Sequence, residues 1–231
     1  MFNDPKILSI AFIGGSLPAL LWLWFWLKQE EKKPEPKAVL VSVFVLGMLS
    51  VIVTIPIQKF LRTVIHSSEG EIVLWALTEE VLKYLAVIVL LYKSKYIDQP
   101  IDWPIYLMTA GLGFAALENT LFLVTPLSLG QDTVTLLTGS LRYLGSTLLH
   151  AVASGLVGIG IGLAYFMNNN WKKIYLFGGL LFATALHSIF NFFIIKNDGT
   201  DFLRVFAFLW VITVVVMLLF EKIRRMSGEH Y

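Results

Sequence analysis

The sequence predicts an all-α polytopic membrane protein, a single domain of about seven transmembrane helices, and three observations predict it. The chain has 231 residues, 57% hydrophobic and only 15% charged, too little polar surface to cover a water-soluble domain of that size. Its apolar residues fall into seven runs, each close to the roughly 20 residues that cross a bilayer. The stretches between the runs are short and hold breakers and charges, such as Lys32-Lys33-Pro34-Glu35-Pro36, Asp98-Gln99-Pro100, Asn168-Asn169-Asn170 and Asp198-Gly199. One domain over 1–231 is therefore expected, with its polar motifs in a core over about 71–195.

The first run, Ile7–Leu27, carries no small-residue cleavage pattern before Lys28 and is expected to be a retained helix rather than a cleaved signal. Ala38–Ile57 follows, then Glu71–Tyr92, Pro104–Val124, Ser140–Met167, Ile174–Ile195 and Phe202–Phe220. With the N-terminus outside, Lys28, Lys32, Lys33, Lys37, Lys93, Lys95, Lys172, Lys173, Lys222, Arg224 and Arg225 gather on the cytoplasmic side. Only Lys6, Lys59, Arg62, Arg142, Lys196 and Arg204 stay outside. The positive-inside rule thus favours a multi-pass protein of the cell membrane, N-terminus out and C-terminus in. Trp22, Trp24, Trp26, Trp103 and Trp171 all fall near the proposed inner face, as an interfacial belt would.

Composition removes several function classes. A formal charge of +2, with its lysines in short clusters, gives no nucleic-acid surface. The absence of cysteine excludes disulfides, thiolate metal sites and a cysteine nucleophile.

What remains is a set of polar residues where they are costly. A charge at the centre of a bilayer helix costs about 2.5–3.5 kcal/mol on insertion scales, so residues kept there need a partner or a task. The third run holds Glu79, Glu80 and Lys83, the fourth Glu118 and Asn119, the fifth His150, and the sixth His187 and Asn191. At about 1.5 Å of rise per residue, Glu79 lies roughly 12 Å below the outer boundary, Glu118 roughly 9 Å, His150 roughly 15 Å and His187 roughly 10 Å. Four helices of alternating direction therefore bring their polar residues to one layer in the outer half of the membrane.

Glu79 and Glu80 can both reach Lys83 from one helix face, which by itself describes an internal ion pair that lets the helix insert. One lysine cannot neutralise Glu79, Glu80 and Glu118, so at least one carboxyl must keep its proton or find a further partner such as a histidine. A single helical histidine is more often a hydrogen-bonded core residue than a catalyst, but two at one depth favour a site. His66 and His230, in a loop and in the tail, are expected to be solvated. Ala151, Gly155, Gly158 and Gly162 form a small-residue stripe for close packing of the fifth helix, and Gly111, Gly113 and Ala115 do the same for the fourth. Ser154 and Ser188 are poor nucleophile candidates, since helical serines usually bond back to the preceding turn.

At these residues the sequence resembles the PrsW family of intramembrane proteases, related to the CAAX prenyl protease and bacteriocin-immunity proteins. The ordered motifs are Glu79-Glu80-x-x-Lys83, Phe114-x-x-x-Glu118-Asn119, His150 in Leu149-His150-Ala151, and His187-x-x-x-Asn191. The resemblance implies an endopeptidase that cuts a membrane-anchored protein, possible targets including an anti-sigma factor, near the extracytoplasmic face. By position, Glu79 and Glu80 match the family's paired glutamates, His150 its third-motif histidine, and His187 with Asn191 its last motif. The CAAX branch usually has an arginine one position after Lys83 and a histidine where this chain has Glu118, departures that speak against a prenylated substrate.

The implied mechanism has a carboxylate of the Glu79/Glu80 pair deprotonating water, with His150 and His187 shuttling protons or binding the oxyanion and Asn191 donating to it. Lys83 would hold one glutamate ionised, and Glu118 would orient a histidine; Phe114 and Asn119 are supporting residues. A divalent metal such as zinc stays open: Glu79, Glu80, His150 and His187 could ligate it, but His-Glu-x-x-His is absent. Two rivals of other classes keep the same cluster. A proton-coupled transporter would show proton flux that depends on Glu118. A non-catalytic membrane scaffold would cleave nothing. The substrate and the oligomeric state are not written in the sequence.

Overall fold

A computed structural model describes residues 4–29, 34–131, 145–196 and 202–228. Seven helices occupy them: α1 Pro5–Leu27, α2 Lys37–Val64, α3 Ser68–Leu91, α4 Asp102–Ser128, α5 Thr147–Leu163, α6 Asn169–Lys196 and α7 Phe202–Gly228. Each corresponds to one predicted run, and no strand occurs among the described residues. Residues 140–144 of the fifth run, Arg142 among them, lie outside the described residues, as do Lys32, Lys33, Asp198, Gly199 and His230.

Local chemistry sets the helix starts. Asp4 accepts from the Lys6 amide at 2.9 Å and Pro5 takes the first helical position, where no backbone donor is needed. Ser67 accepts from the Gly70 amide at 3.3 Å, and Glu69 and Glu71 in the first turn of α3 face the positive end of the helix dipole. Asn168 accepts from the Asn170 and Trp171 amides, both at 3.2 Å, to start α6. Several helices outrun their apolar stretches. α2 continues through Pro56, Gln58, Lys59 and Arg62 to Val64, because a helix that leaves the hydrocarbon keeps its backbone hydrogen bonds.

Five helices are long and apolar enough to cross a membrane. α3 carries too many charges to join them by composition, and α5, at 17 residues, is too short. These two helices hold Glu79, Glu80, Lys83 and His150. The chain is a polytopic membrane protein, and Glu118 of α4 and His187 of α6 place further ionisable residues on helices that cross.

α4 is the central element. Its most apolar stretch is 78% buried, whereas those of the other four spanning helices are 28–33% buried and show apolar faces such as Phe12, Ile13, Val41, Ile52 and Leu218 to the surroundings. Small residues set its distance from its neighbours. A Cβ at Gly47 of α2 would strike the Ala110 carbonyl, and one at Gly113 would strike that of Phe44. Gly155 and Gly158 of the α5 stripe face Met108 and Pro104, while Gly162 faces the Pro100 carbonyl. The stripe therefore packs α5 against α4 and the turn before it. Without bulk hydrophobic driving force between helices in lipid, such close contact supplies the association.

Candidate active site

The polar residues of α3, α4, α5 and α6 meet in one buried cluster. Glu79, Glu80, Lys83, His150 and His187 are each at most 5% exposed. Lys83 Nζ lies 2.8 Å from Glu80 Oε1 and 3.8 Å from Glu79 Oε2, so both carboxylates do reach the ammonium from one face of α3. It also donates to His150 Nδ1 at 2.8 Å and stands 4.4 Å from the centre of the Phe114 ring.

These contacts determine the histidine tautomers. An ammonium can only donate, so His150 Nδ1 accepts and its proton sits on Nε2, where it is given to Glu118 Oε2 at 3.0 Å. His187 is the reverse case. Its Nδ1 lies 2.8 Å from Glu80 Oε1, an acceptor, so Nδ1 carries a proton, and Nε2 faces Glu79 Oε2. The two rings stand edge to face, centroids 5.1 Å apart, and Phe114 packs on His150 at 5.3 Å.

The two glutamates differ. Glu80 Oε1 accepts from Lys83 and His187, and Oε2 accepts from Ser154 Oγ at 3.3 Å. Glu79 Oε1 accepts from Gln58 Nε2 of α2 at 3.0 Å, but Glu79 Oε2 is buried without a hydrogen-bond partner and faces His187 Nε2 at 3.6 Å. With its proton on Nδ1 alone, His187 turns the Nε2 lone pair toward that oxygen; as an imidazolium it turns an N–H there instead.

That arrangement fits a cation. Glu79, His150 and His187 each offer one ligand atom, and the three lie within 4.8 Å of one another. Donors of a tetrahedral zinc ion, each 2.0–2.2 Å from the metal, stand roughly 3.4 Å apart, close to the Glu79–His187 separation. His150 fits less directly, because Lys83 or Glu118 must yield one of its nitrogens. A set of two histidines and one glutamate is the type found at catalytic zinc.

The other expected residues are nearby. Asn119 donates to Thr147 Oγ1 at 2.9 Å, tying α4 to the first turn of α5. Asn191 is half-buried, one turn beyond His187 on α6. Ser188 bonds back to the Thr184 carbonyl at 2.6 Å as expected, whereas Ser154 turns its hydroxyl to Glu80, since that buried carboxylate is the stronger acceptor. His66 is exposed. Gln58 is the contact the sequence did not reveal. A glutamine near the end of an apolar run reads as an interfacial residue, and only the packing of α2 on α3 brings it to Glu79.

Residues 35–220 match the family described as PrsW family intramembrane metalloprotease. The chain is similar to Protease PrsW of Geobacillus kaustophilus strain HTA426, 29% identical over 158 residues that cover 67% of this chain and 66% of that protein. It is 26% identical to Protease PrsW of Shouchella clausii strain KSM-K16 over 80% of this chain and 82% of that one. With Protease PrsW of Clostridioides difficile strain 630 it shares 26% identity, over 83% and 79% of the two chains. No solved structure matches the chain.

Proposed function

The chain belongs to the PrsW family of intramembrane metalloproteases, and on that premise we propose that it is an endopeptidase cleaving a membrane-anchored protein, such as an anti-sigma factor, near the extracytoplasmic face. The observation that carries the reading is Glu79 Oε2, a buried carboxylate oxygen without a hydrogen-bond partner, 3.6 Å from His187 Nε2 and 3.8 Å from Lys83 Nζ. A carboxylate already saturated by donors is a weak base, and Glu80 is in that condition. Glu79 is therefore the base that takes the proton of the attacking water. Glu80 is a positioning residue, holding Lys83 and fixing the tautomer of His187.

His150, oriented by Glu118, is placed to return a proton to the leaving amine, and Asn191, on the same helix face as His187, supplies a donor for the developing oxyanion. Were a divalent ion held here by Glu79, His187 and His150, it would supply Lewis-acid polarisation of water or carbonyl, and Glu79 and His150 would then serve as ligands in place of the base and acid roles they have without it. Burial of the site among α3 to α6 keeps bulk water from competing for these contacts.

The test compares membrane-protein fragments in cells carrying the wild-type chain with those carrying Glu79→Gln. New termini at the extracytoplasmic edge of a transmembrane segment are expected only with the wild type. Identical fragment sets, reproduced with purified proteins on a candidate single-span substrate, overturn the assignment.

A further inference from the structure

Toward the C-terminal end of α3 and the N-terminal end of α6, away from the candidate active site, a cavity opens between α3, α4, α5 and α6. It measures about 380 Å³. Its walls are apolar or interfacial, built by Tyr84, Leu91, Trp103, Ile161 and Leu176, and its mouth is basic, carrying Lys93, Lys172 and Lys173. Among the described residues no acidic one lines it. Among the described residues none of the three ammonium groups has a carboxylate within ion-pair distance; Lys93 and Lys172 instead approach the rings of Tyr92 and Tyr165 at 5.2 and 5.9 Å.

The backbone gives a second observation. Lys93 has φ 55°, and it is the one non-glycine residue with a left-handed backbone among the described residues. Just past a helix C-terminus that conformation is usually taken by glycine, which adopts it at least cost. Here a lysine holds it, and the turn brings Lys93 to the same rim as the two lysines of the first turns of α6. The left-handed turn ends α3 and points the chain so that Lys93 joins the rim.

We propose that this cavity binds one anionic phospholipid, its phosphate held by Lys93, Lys172 and Lys173 and the start of its acyl chains lying against Trp103, Ile161 and Leu176. Charge complementarity selects the head group, and the apolar wall of Leu91, Trp103, Ile161 and Leu176 selects a lipid over a soluble phosphate. The charge bias of the loops assigns this end to the cytoplasmic leaflet. The site is separate from the proteolytic one, and the proposal stands or falls independently of peptide cleavage.

The test is native mass spectrometry of the purified full-length chain released from phosphatidylcholine vesicles containing a minor fraction of phosphatidylglycerol. The wild type is expected to retain one phosphatidylglycerol. The combined variant Lys93→Gln, Lys172→Gln and Lys173→Gln is expected to bind it at least about tenfold more weakly. Lys28→Gln, Lys95→Gln and Lys222→Gln together remove the same charge outside the cavity and should leave binding unchanged. Leu176→Trp fills the cavity with all charges intact and should also lose the lipid, which covers the case in which the triple variant does not fold. Equal retention by the cavity and control variants overturns the proposal, as does retention of phosphatidylcholine in place of phosphatidylglycerol. Displacement by inorganic phosphate overturns the lipid assignment.

Discussion

Lys83 Nζ of α3 stands 2.8 Å from His150 Nδ1 of α5, and through that single contact a fully buried ammonium decides which nitrogen of the histidine carries its proton. The same ammonium is the counter-ion of Glu80. Lys83→Met is therefore expected to do two separable things. It leaves Glu80 uncompensated in the interior, which costs about 3–5 kcal/mol, and it releases His150 from its tautomer. Thermal unfolding in detergent reads the first effect, and cleavage by the surviving folded fraction reads the second. Unchanged stability would mean that Lys83 is solvated in the protein.

Gln58 tests whether α2 takes part in the site. It donates to Glu79 Oε1, so Gln58→Leu leaves that oxygen, like its neighbour Oε2, without a donor. An orphaned buried acceptor costs about 1–3 kcal/mol and favours the protonated, non-basic carboxyl. Cleavage is expected to fall about tenfold or more with the substrate KM little changed, whereas Gln58→Asn, which keeps a shorter amide, recovers part of the rate. Full activity in Gln58→Leu would remove Gln58 from the site.

The Glu79–His187 pair also tests for a bound metal. Protein purified without chelator is expected to carry about one equivalent of a divalent ion, lost in Glu79→Ala and in His187→Ala but kept in Glu118→Ala, since Glu118 reaches the site only through His150. Elemental analysis reads this without reference to activity. Cleavage should stop on chelation and return with added zinc. A metal-free wild type whose cleavage ignores chelators would leave Glu79 to act as base without an ion.

The sequence made the helices legible because their signal is long and repetitive, and the site partly so because charge inside a bilayer is rare. Counting residues from the ends of the runs placed Glu79, Glu118, His150 and His187 in one layer, and in the structure they share one cluster. Rotation about the helix axis was not legible. Nothing in Glu79-Glu80 says which carboxylate will be saturated; that depends on Ser154 and His187 arriving on the side of Glu80 and Gln58 on the side of Glu79. Ser154, expected to bond back along its own helix, was misread for the same reason. Its usual bond to the preceding turn is the local preference, and a tertiary acceptor displaced it.

Gly111 shows how far the chemistry depends on helix spacing. A Cβ there would stand 2.5 Å from Ser154 Oγ and 2.7 Å from the His150 carbonyl oxygen, so no alanine fits unless α5 moves away from α4. Moving α5 carries His150 away from Lys83 and Ser154 away from Glu80, and a misplacement of about 1 Å can cost about a hundredfold in rate. Gly111→Ala is expected to lower cleavage by about that factor while overpacking destabilises the fold by only about 1–3 kcal/mol. Gly178→Ala is the control: a Cβ at that position meets nothing within 4 Å, so activity and stability should both be kept. Because both substitutions add one methyl group to a helical glycine, only the close approach of α4 to α5 distinguishes them. If the two variants cleave alike, the α4–α5 spacing does not set the position of His150.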